Sequence, residues 1–280
     1  MSLKNIALLV HACDRYEFLF EGFKIFFDQN IKNDIEANFY FATECKQVSL
    51  ANFANVLSGE GEWSDRLSKI LREEIREEYV MYMQEDMWLS KPLNSKLLNS
   101  IFEFAIDKKA DCIKLHSSEV YTTIPTNIYF EGLNLSTLNN QQSKYLMSHQ
   151  ITIWKKTFLL QQLRANENPW RNERRATKRL KKLNPLIYQI DLFAENGKPP
   201  INSNHDLNLR SEYFTVSVNS TLGENITKIF DIFPKKTEHQ TYFEKLKYYY
   251  KNQLTHDGKE KPRKEDIFQK IKKWFKKIKL

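Results

Sequence analysis

Tyr79-Val-Met-Tyr-Met-Gln-Glu-Asp-Met-Trp-Leu89 decides the reading of this chain. Its first five residues form an unbroken apolar and aromatic run suited to a strand buried on both faces, and the run ends in adjacent carboxylates, Glu85 and Asp86. In open α/β sheets ligands collect at the carboxyl ends of parallel strands, so such a pair is placed to meet a cation or a cation-bound phosphate. Neighbouring carboxylates repel unless a metal or an arginine joins them, and hard oxygen ligands suit Mg²⁺ or Mn²⁺, the usual escorts of a nucleotide diphosphate. A solvated acidic turn is the competing reading.

Working outward, residues 5–10 read as a buried strand, and Phe18, Leu19, Phe23, Phe26 and Phe27 recur at helical spacing after it, which makes a βα unit. The loop between them carries His11, Ala12, Asp14 and Arg15. Asp14 there is either a helix N-cap or a ligand of a base or ribose, and Arg15 can meet a phosphate. No Gly-rich fingerprint follows the strand, which argues against a dinucleotide or P-loop fold. Residues 37–42 read as a second strand that delivers Thr43 and Glu44 to the same edge. A helix then opens at Trp63-Ser64 with Ser64 as N-cap; Leu67, Ile70, Leu71 and Ile75 form its apolar face and Arg66 lies off it.

Beyond the acidic stretch, a helix over 94–106 and a strand over 111–115 continue the α/β winding. Residues 116–143 show no period and read as irregular substrate-side structure. Residues 145–154 read as a strand and 155–163 as a helix. A Pro169-Trp170 turn follows, Glu173 begins another helix, and a strand runs over 186–193. Residues 195–227 read as loops, with His205 and Asp206 a late contact at most, and residues 242–253 read as a helix.

The 280 residues suit one large domain, 1–255, with an appendage, 256–280. Cys13, Cys45 and Cys112 are few and widely spaced, pointing to reduced thiols in the cytoplasm rather than a disulfide frame or zinc site. The net charge is +8, and the segment from Lys259 to Leu280 holds ten Lys or Arg against three acids, so the body is nearly neutral and no nucleic-acid partner is expected. In the tail, Ile267, Phe268, Ile271, Trp274, Phe275 and Ile278 gather within about 120° of a helix face, with lysines around the rest. That pattern fits an in-plane anchor on an anionic membrane surface; a helix docked on protein is the alternative.

Four segments occur in the order seen in bacterial and viral sugar transferases: residues 6–15, Trp63-Ser64-Asp65-Arg66-Leu67, Gln84-Glu85-Asp86, and Glu167-Asn168-Pro169-Trp170-Arg171-Asn172-Glu173. Over roughly residues 4–190 the chain resembles GT-A type glycosyltransferases. The resemblance implies a GT-A-like nucleotide-binding mixed sheet flanked by helices, and a donor site of His11, Ala12, Asp14, Arg15, Thr43, Glu44, Trp63, Arg66 and Glu85. It implies a divalent cation, Mn²⁺ or Mg²⁺, held by Glu85 and Asp86, although the motif here is Glu-Asp followed by Met87 rather than Asp-x-Asp. It implies Glu173 as catalytic base beside Asp86, with Glu167 second, and an acceptor side of His149, Gln150, Trp170 and Arg171. The expected activity is hexose transfer from a nucleotide-sugar, a UDP-sugar by family frequency, to a lipid-linked glycan acceptor. The expected setting is surface polysaccharide assembly, such as capsule or lipopolysaccharide, on the inner face of the cytoplasmic membrane. The alternative is a non-catalytic basic protein that binds membrane or nucleic acid.

Overall fold

The computed structural model describes residues 5–32, 34–201 and 207–260. The predicted tail helix, with Ile267, Phe268, Ile271, Trp274, Phe275 and Ile278, lies outside the described residues, as do His205 and Asp206. No helix among the described residues is long and apolar enough to cross a membrane.

The chain is α/β, as its alternating periods predicted. Strand β1 (Ile6–His11) leads through a 3-10 turn, Asp14–Leu19, into helix α1 (Phe20–Asn30), then β2 (Asn38–Thr43) and β3 (Ala54–Leu57). Helix α2 (Trp63–Glu73) precedes β4 (Tyr79–Met83), β5 (Met87–Lys91), α3 (Ser95–Asp107) and β6 (Cys112–His116). A hairpin, β7 (Thr123–Phe130) and β8 (Leu133–Leu138), is followed by β9 (Thr152–Lys155), α4 (Lys156–Gln162), α5 (Pro169–Leu183) and β10 (Ile187–Glu195). Strands β11 (Ser211–Thr215), β12 (Ser217–Val218) and β13 (Thr221–Leu222) and helices α6 (Ile226–Ile232) and α7 (Gln240–Lys251) complete it.

The main sheet runs β3-β2-β1-β4-β9-β6-β10-β11-β5, with β8 and β7 added beside β10. Strand β1 lies parallel between β2 and β4, so successive crossovers leave it in opposite directions and a crevice opens where its carboxyl end meets that of β4. Strand β9 enters antiparallel to both β4 and β6. Its first residue, Thr152, pairs with Tyr82 near the end of β4, so the residues just before β9 arrive at the same crevice.

Apolar layers cover both faces. On one, the phenylalanines of α1 and the stripe of α3 bury against β1, β4 and β5; on the other, Leu67, Ile70 and Leu71 of α2 pack with Trp154, Leu159 and Leu180. Trp88 on β5 is fully buried, its ring stacks on Phe26 at 5.7 Å, and its indole N–H donates to the Glu85 carbonyl at 3.0 Å. The acidic turn is therefore tied to the core from below.

Several expectations are corrected. Residues 116–143 are largely a hairpin, not irregular: Glu131 and Gly132 both adopt positive φ, 46° and 93°, as a tight primed turn requires, and polar Thr, Asn and Ser masked the alternation. Residues 195–227 hold β11 to β13, which were missed because polar residues serve these short strands. The strand expected over 145–154 begins at Thr152, because the backbone N–H groups of Leu146 and Met147 are drawn aside to the Thr177 hydroxyl at 3.2 and 3.1 Å. Ser64 does not cap α2. The N-cap is Glu62, and the Ser64 hydroxyl accepts from the Glu167 N–H at 3.0 Å, tying α2 to the segment before α5. His256, the first residue of the expected appendage, is buried and bonds Ser217 at 2.8 Å, and isolated bridges pair Thr221 with Thr255 and Leu254 with Glu260.

A close approach tests this packing. A Cβ on Gly22 would lie 2.0 Å from the Trp88 ring, which has nowhere to move. Gly22→Ala should lose stability by overpacking, about 1–3 kcal/mol, against the ~1 kcal/mol that alanine gains in helix propensity. A urea midpoint equal to or above that of the parent chain would contradict the described contact.

Candidate functional site

At the crevice between β1 and β4 lies a cavity of about 440 Å³. Strand β1 brings His11, Ala12 and Cys13; α2 brings Trp63 and Arg66; and the turn after β4 brings Gln84, Glu85 and Asp86. The approach to β9 adds His149 and Gln150, and α5 adds Pro169, Trp170 and Glu173. Segments 87 residues apart in the chain, those of Asp86 and Glu173, thus meet within one α/β edge.

Glu85 is buried and accepts from the Cys13 N–H at 3.3 Å. Burial, and then the charge of Asp86, pushes its carboxyl up to about 8, and burial pushes Asp86 up to about 6. Arg66 pulls the Glu85 carboxyl in the opposite direction. The pair is short of positive charge. A nucleotide-bound Mg²⁺ keeps waters and phosphate oxygens in its shell and needs one or two protein carboxylates, so Glu85 and Asp86 fit such a cation. They do not form a protein-made cage: no cluster of three or more His, Cys, Asp or Glu suited to a metal occurs among the described residues.

The cations stand close by. Arg66, expected off the apolar face of its helix, is buried; it pairs with Glu44 at 3.3 Å and donates to the Ala12 carbonyl at 3.2 Å, while its Nε has no partner among the described residues. Arg15 reaches the mouth of the cavity. Trp63 is buried with its ring 4.2 Å from that of His149 and 5.9 Å from that of His11. Both imidazoles are held neutral: burial lowers His11 well below its ordinary value and His149 to about 3. The two ring nitrogens of His11 and Nε2 of His149 are buried without partners among the described residues. Buried polar atoms normally have partners, so these are available to a ligand.

Glu173 sits in the second turn of α5, whose start is set by Pro169 at the first helical position and by Asn168, which caps the N–H of Arg171 at 2.9 Å. Its Oε1 accepts from the His149 N–H at 3.0 Å, and burial raises its carboxyl above the usual range. A partly buried carboxylate with a raised pKa, anchored through one oxygen, is suited to general-base work.

Other expected residues lie elsewhere. Asp14 accepts from the N–H groups of Glu44, Cys45 and Lys46 at 2.8, 2.8 and 2.9 Å, so its carboxylate clamps two loops together and lines a neighbouring cavity of about 760 Å³ instead. That larger cavity mixes Glu17, Glu21, Lys46 and Lys245 without convergent chemistry. Thr43 is buried and donates to the Lys46 carbonyl; Glu44 supports the cavity from behind, through Arg66 and the Asp14 N–H at 2.9 Å. Arg171 is exposed and donates to the Asn166 carbonyl at 3.1 Å. Glu167, the second candidate base, is buried against Arg179 at 3.3 Å and Asn172 at 2.7 Å, outside the lining. Reasoning from sequence missed Thr215, Ser217 and Asn219, which close the far wall from β11 to β13 and carry no periodic signal.

No protein-family model matches the chain, and no curated protein matches it. Among solved structures, the chain is similar to S. aureus TarS, with TM-score 0.45 and 10% identity over 89% of this chain, and it spans 43% of that chain. The 1-349 form of TarS in complex with UDP-GlcNAc gives TM-score 0.44 at 13% identity, over 89% of this chain and 72% of that one. A UDP-glucose pyrophosphorylase complexed with UDP-glucose gives TM-score 0.41 at 10% identity, over 68% of this chain and 91% of the other. All three lie below 0.5 in TM-score, so the functional reading rests on the cavity and its chemistry.

Proposed function

We propose that this chain is a nucleotide-sugar-dependent glycosyltransferase of the GT-A kind. The observation that carries the reading is the meeting, in one cavity at the switch point of the sheet, of the Glu85-Asp86 pair, the Arg66 cation and the Glu173 carboxylate. A donor diphosphate answers the first two, and an acceptor hydroxyl answers the third. In finer detail we propose a hexose from a UDP-sugar as the transferred group and a lipid-linked glycan as acceptor, in surface polysaccharide assembly. The basic amphipathic tail would hold the enzyme to the inner face of the cytoplasmic membrane.

In a direct displacement the acceptor oxygen bonds to the anomeric carbon as the bond from that carbon to the diphosphate oxygen breaks. Glu173 receives the acceptor's proton, held in line by the His149 N–H. Arg66 and Arg15 are the chain's own positive groups for the charge that builds on the diphosphate. A divalent cation held by Glu85 and Asp86 would supply further stabilisation of that leaving group. Trp63 and Trp170 offer flat apolar faces to base and sugar.

Binding is tested by thermal unfolding with UDP and Mn²⁺. Ligand at about a hundred-fold above Kd contributes about 2.7 kcal/mol, a rise of several degrees, and Asp86→Asn should abolish the Mn²⁺-dependent part. A melting temperature indifferent to every nucleoside diphosphate would sink the reading.

For chemistry, Glu173→Gln keeps an oxygen for the His149 N–H but cannot take a proton, so transfer should fall by about 10²–10⁴ while UDP affinity holds. Because burial raises this carboxyl, the base protonates, and transfer is lost, at a pH above the ordinary Glu value of about 4.3. That acidic limb should vanish from the pH profile of residual activity in the variant. An unchanged limb would remove Glu173 from the role.

A further inference from the structure

A second, smaller cavity of about 190 Å³ adjoins the first, and Gln150 and Glu173 belong to the walls of both. It falls well below the range of about 300–1,000 Å³ in which drug-sized ligands are enclosed, so it suits a single ring rather than a nucleotide. Along its wall runs a chain of four side chains, of which all but Lys114 line the cavity: Lys114 Nζ to Ser148 Oγ at 3.1 Å, Ser148 Oγ to Tyr121 OH at 3.0 Å, and Tyr121 OH to His116 Nε2 at 2.9 Å.

The direction of that chain follows from its last member. His116 Nδ1 lies 3.3 Å from the Ile151 carbonyl, which can only accept, so Nδ1 carries the proton. Burial holds this imidazole neutral, with its value lowered to about 3, so Nε2 is bare and Tyr121 must donate to it. The phenol's one hydrogen is then spent, and the Ser148 hydroxyl must donate to the Tyr121 oxygen. Lys114, completely buried and 4.7 Å above the Trp154 ring, donates to Ser148 in turn. Both hydroxyls therefore have their hydrogens committed and keep lone pairs.

The carboxylates of Glu173 and Glu195 line the same cavity, and the Lys198 ammonium beside them is engaged by Glu195 at 3.2 Å. The wall is rich in hydrogen-bond acceptors. It suits a ligand that supplies donors and carries no negative charge.

We propose that this cavity is the acceptor subsite and that it takes a neutral sugar ring through its hydroxyl donors, with Ser148 and Tyr121 as its recognition groups. The proposal rests on the glycosyltransferase reading. It places the shared wall residue, Glu173, between donor and acceptor, where the migrating proton leaves the ring hydroxyl.

The test uses the full chain with UDP and the diamagnetic Mg²⁺, and simple methyl glycosides of glucose, galactose and N-acetylglucosamine as probes, followed by saturation-transfer NMR. At least one glycoside should give ring-proton signals. Tyr121→Phe and Ser148→Ala should each weaken it about three- to ten-fold, the worth of one neutral hydrogen bond, with UDP affinity unchanged as the check on folding. Glycoside affinity equal to that of the parent chain in both variants overturns the proposal, as does the absence of any glycoside signal from a chain that binds UDP. Failure of UDP to bind, with a glycoside signal that still depends on the two hydroxyls, would remove the donor reading and leave the ligand class of this cavity standing.

Discussion

The cost of desolvating two adjacent carboxylates, Glu85 buried and Asp86 half-buried, governs this structure. Glu85 and Asp86 sit where desolvation raises both, and neither is matched by a full salt bridge, since the nearby Arg66 is shared with Glu44. Such a turn would relax outward into water if nothing held it. Three restraints prevent that: the Cys13 N–H on the Glu85 carboxylate, the Trp88 indole on the Glu85 carbonyl, and the Val216 N–H on the Asp86 carbonyl at 2.9 Å. Trp88 is itself wedged between Phe26 and Gly22. The stability of the aromatic core is thus used to hold two carboxyls in an unfavourable place, an arrangement typical of functional sites with shifted pKa values.

The same turn explains why the sheet is mixed. The chain reverses at Glu85-Asp86 and β5 departs to the far edge, where it pairs antiparallel with β11. The space beside β4 is filled instead by β9, running the other way. That inversion brings His149 and Gln150 to the carboxyl end of β4, and the His149 N–H then fixes Glu173. An all-parallel neighbour would have placed those groups on the opposite rim.

Much of this was legible because burial leaves a clear record in sequence. The unbroken apolar run from Tyr79 to Met83, the phenylalanines of α1 and the stripe of α2 each specify their element locally, whereas α5 opens at Pro169, in the expected turn, rather than at Glu173. Strand ends alone pointed to His11, Glu85 and Asp86; the gathering of Trp63, Arg66, His149, Gln150, Trp170 and Glu173 beside them was expected from the resemblance. What was not legible depends on partners distant in the chain. Asp14 and Glu167 look like free acids until the backbone amides of residues 44–46 and the Arg179 guanidinium are brought to them. Arg66 looks solvated by its position on the helix, yet Glu44 and the Ala12 carbonyl draw it inside. Strand β7 is largely exposed, while β8, β11 and β13 bury Leu133, Leu135, Tyr213 and Leu222 between polar neighbours in segments too short for alternation to reveal.

The placement of β9 has an evolutionary corollary. One chamber centres on the ends of β1 and β4 and on α2, with His149, Gln150 and α5 as a further wall, while the other draws on residues 116–121, 145–150 and 195–198. Lengthening or rewriting those latter connections leaves the register of β1, β2 and β4 untouched. On the proposed reading, the smaller chamber could then be reshaped without disturbing the larger, with Glu173 of α5 as the wall they share.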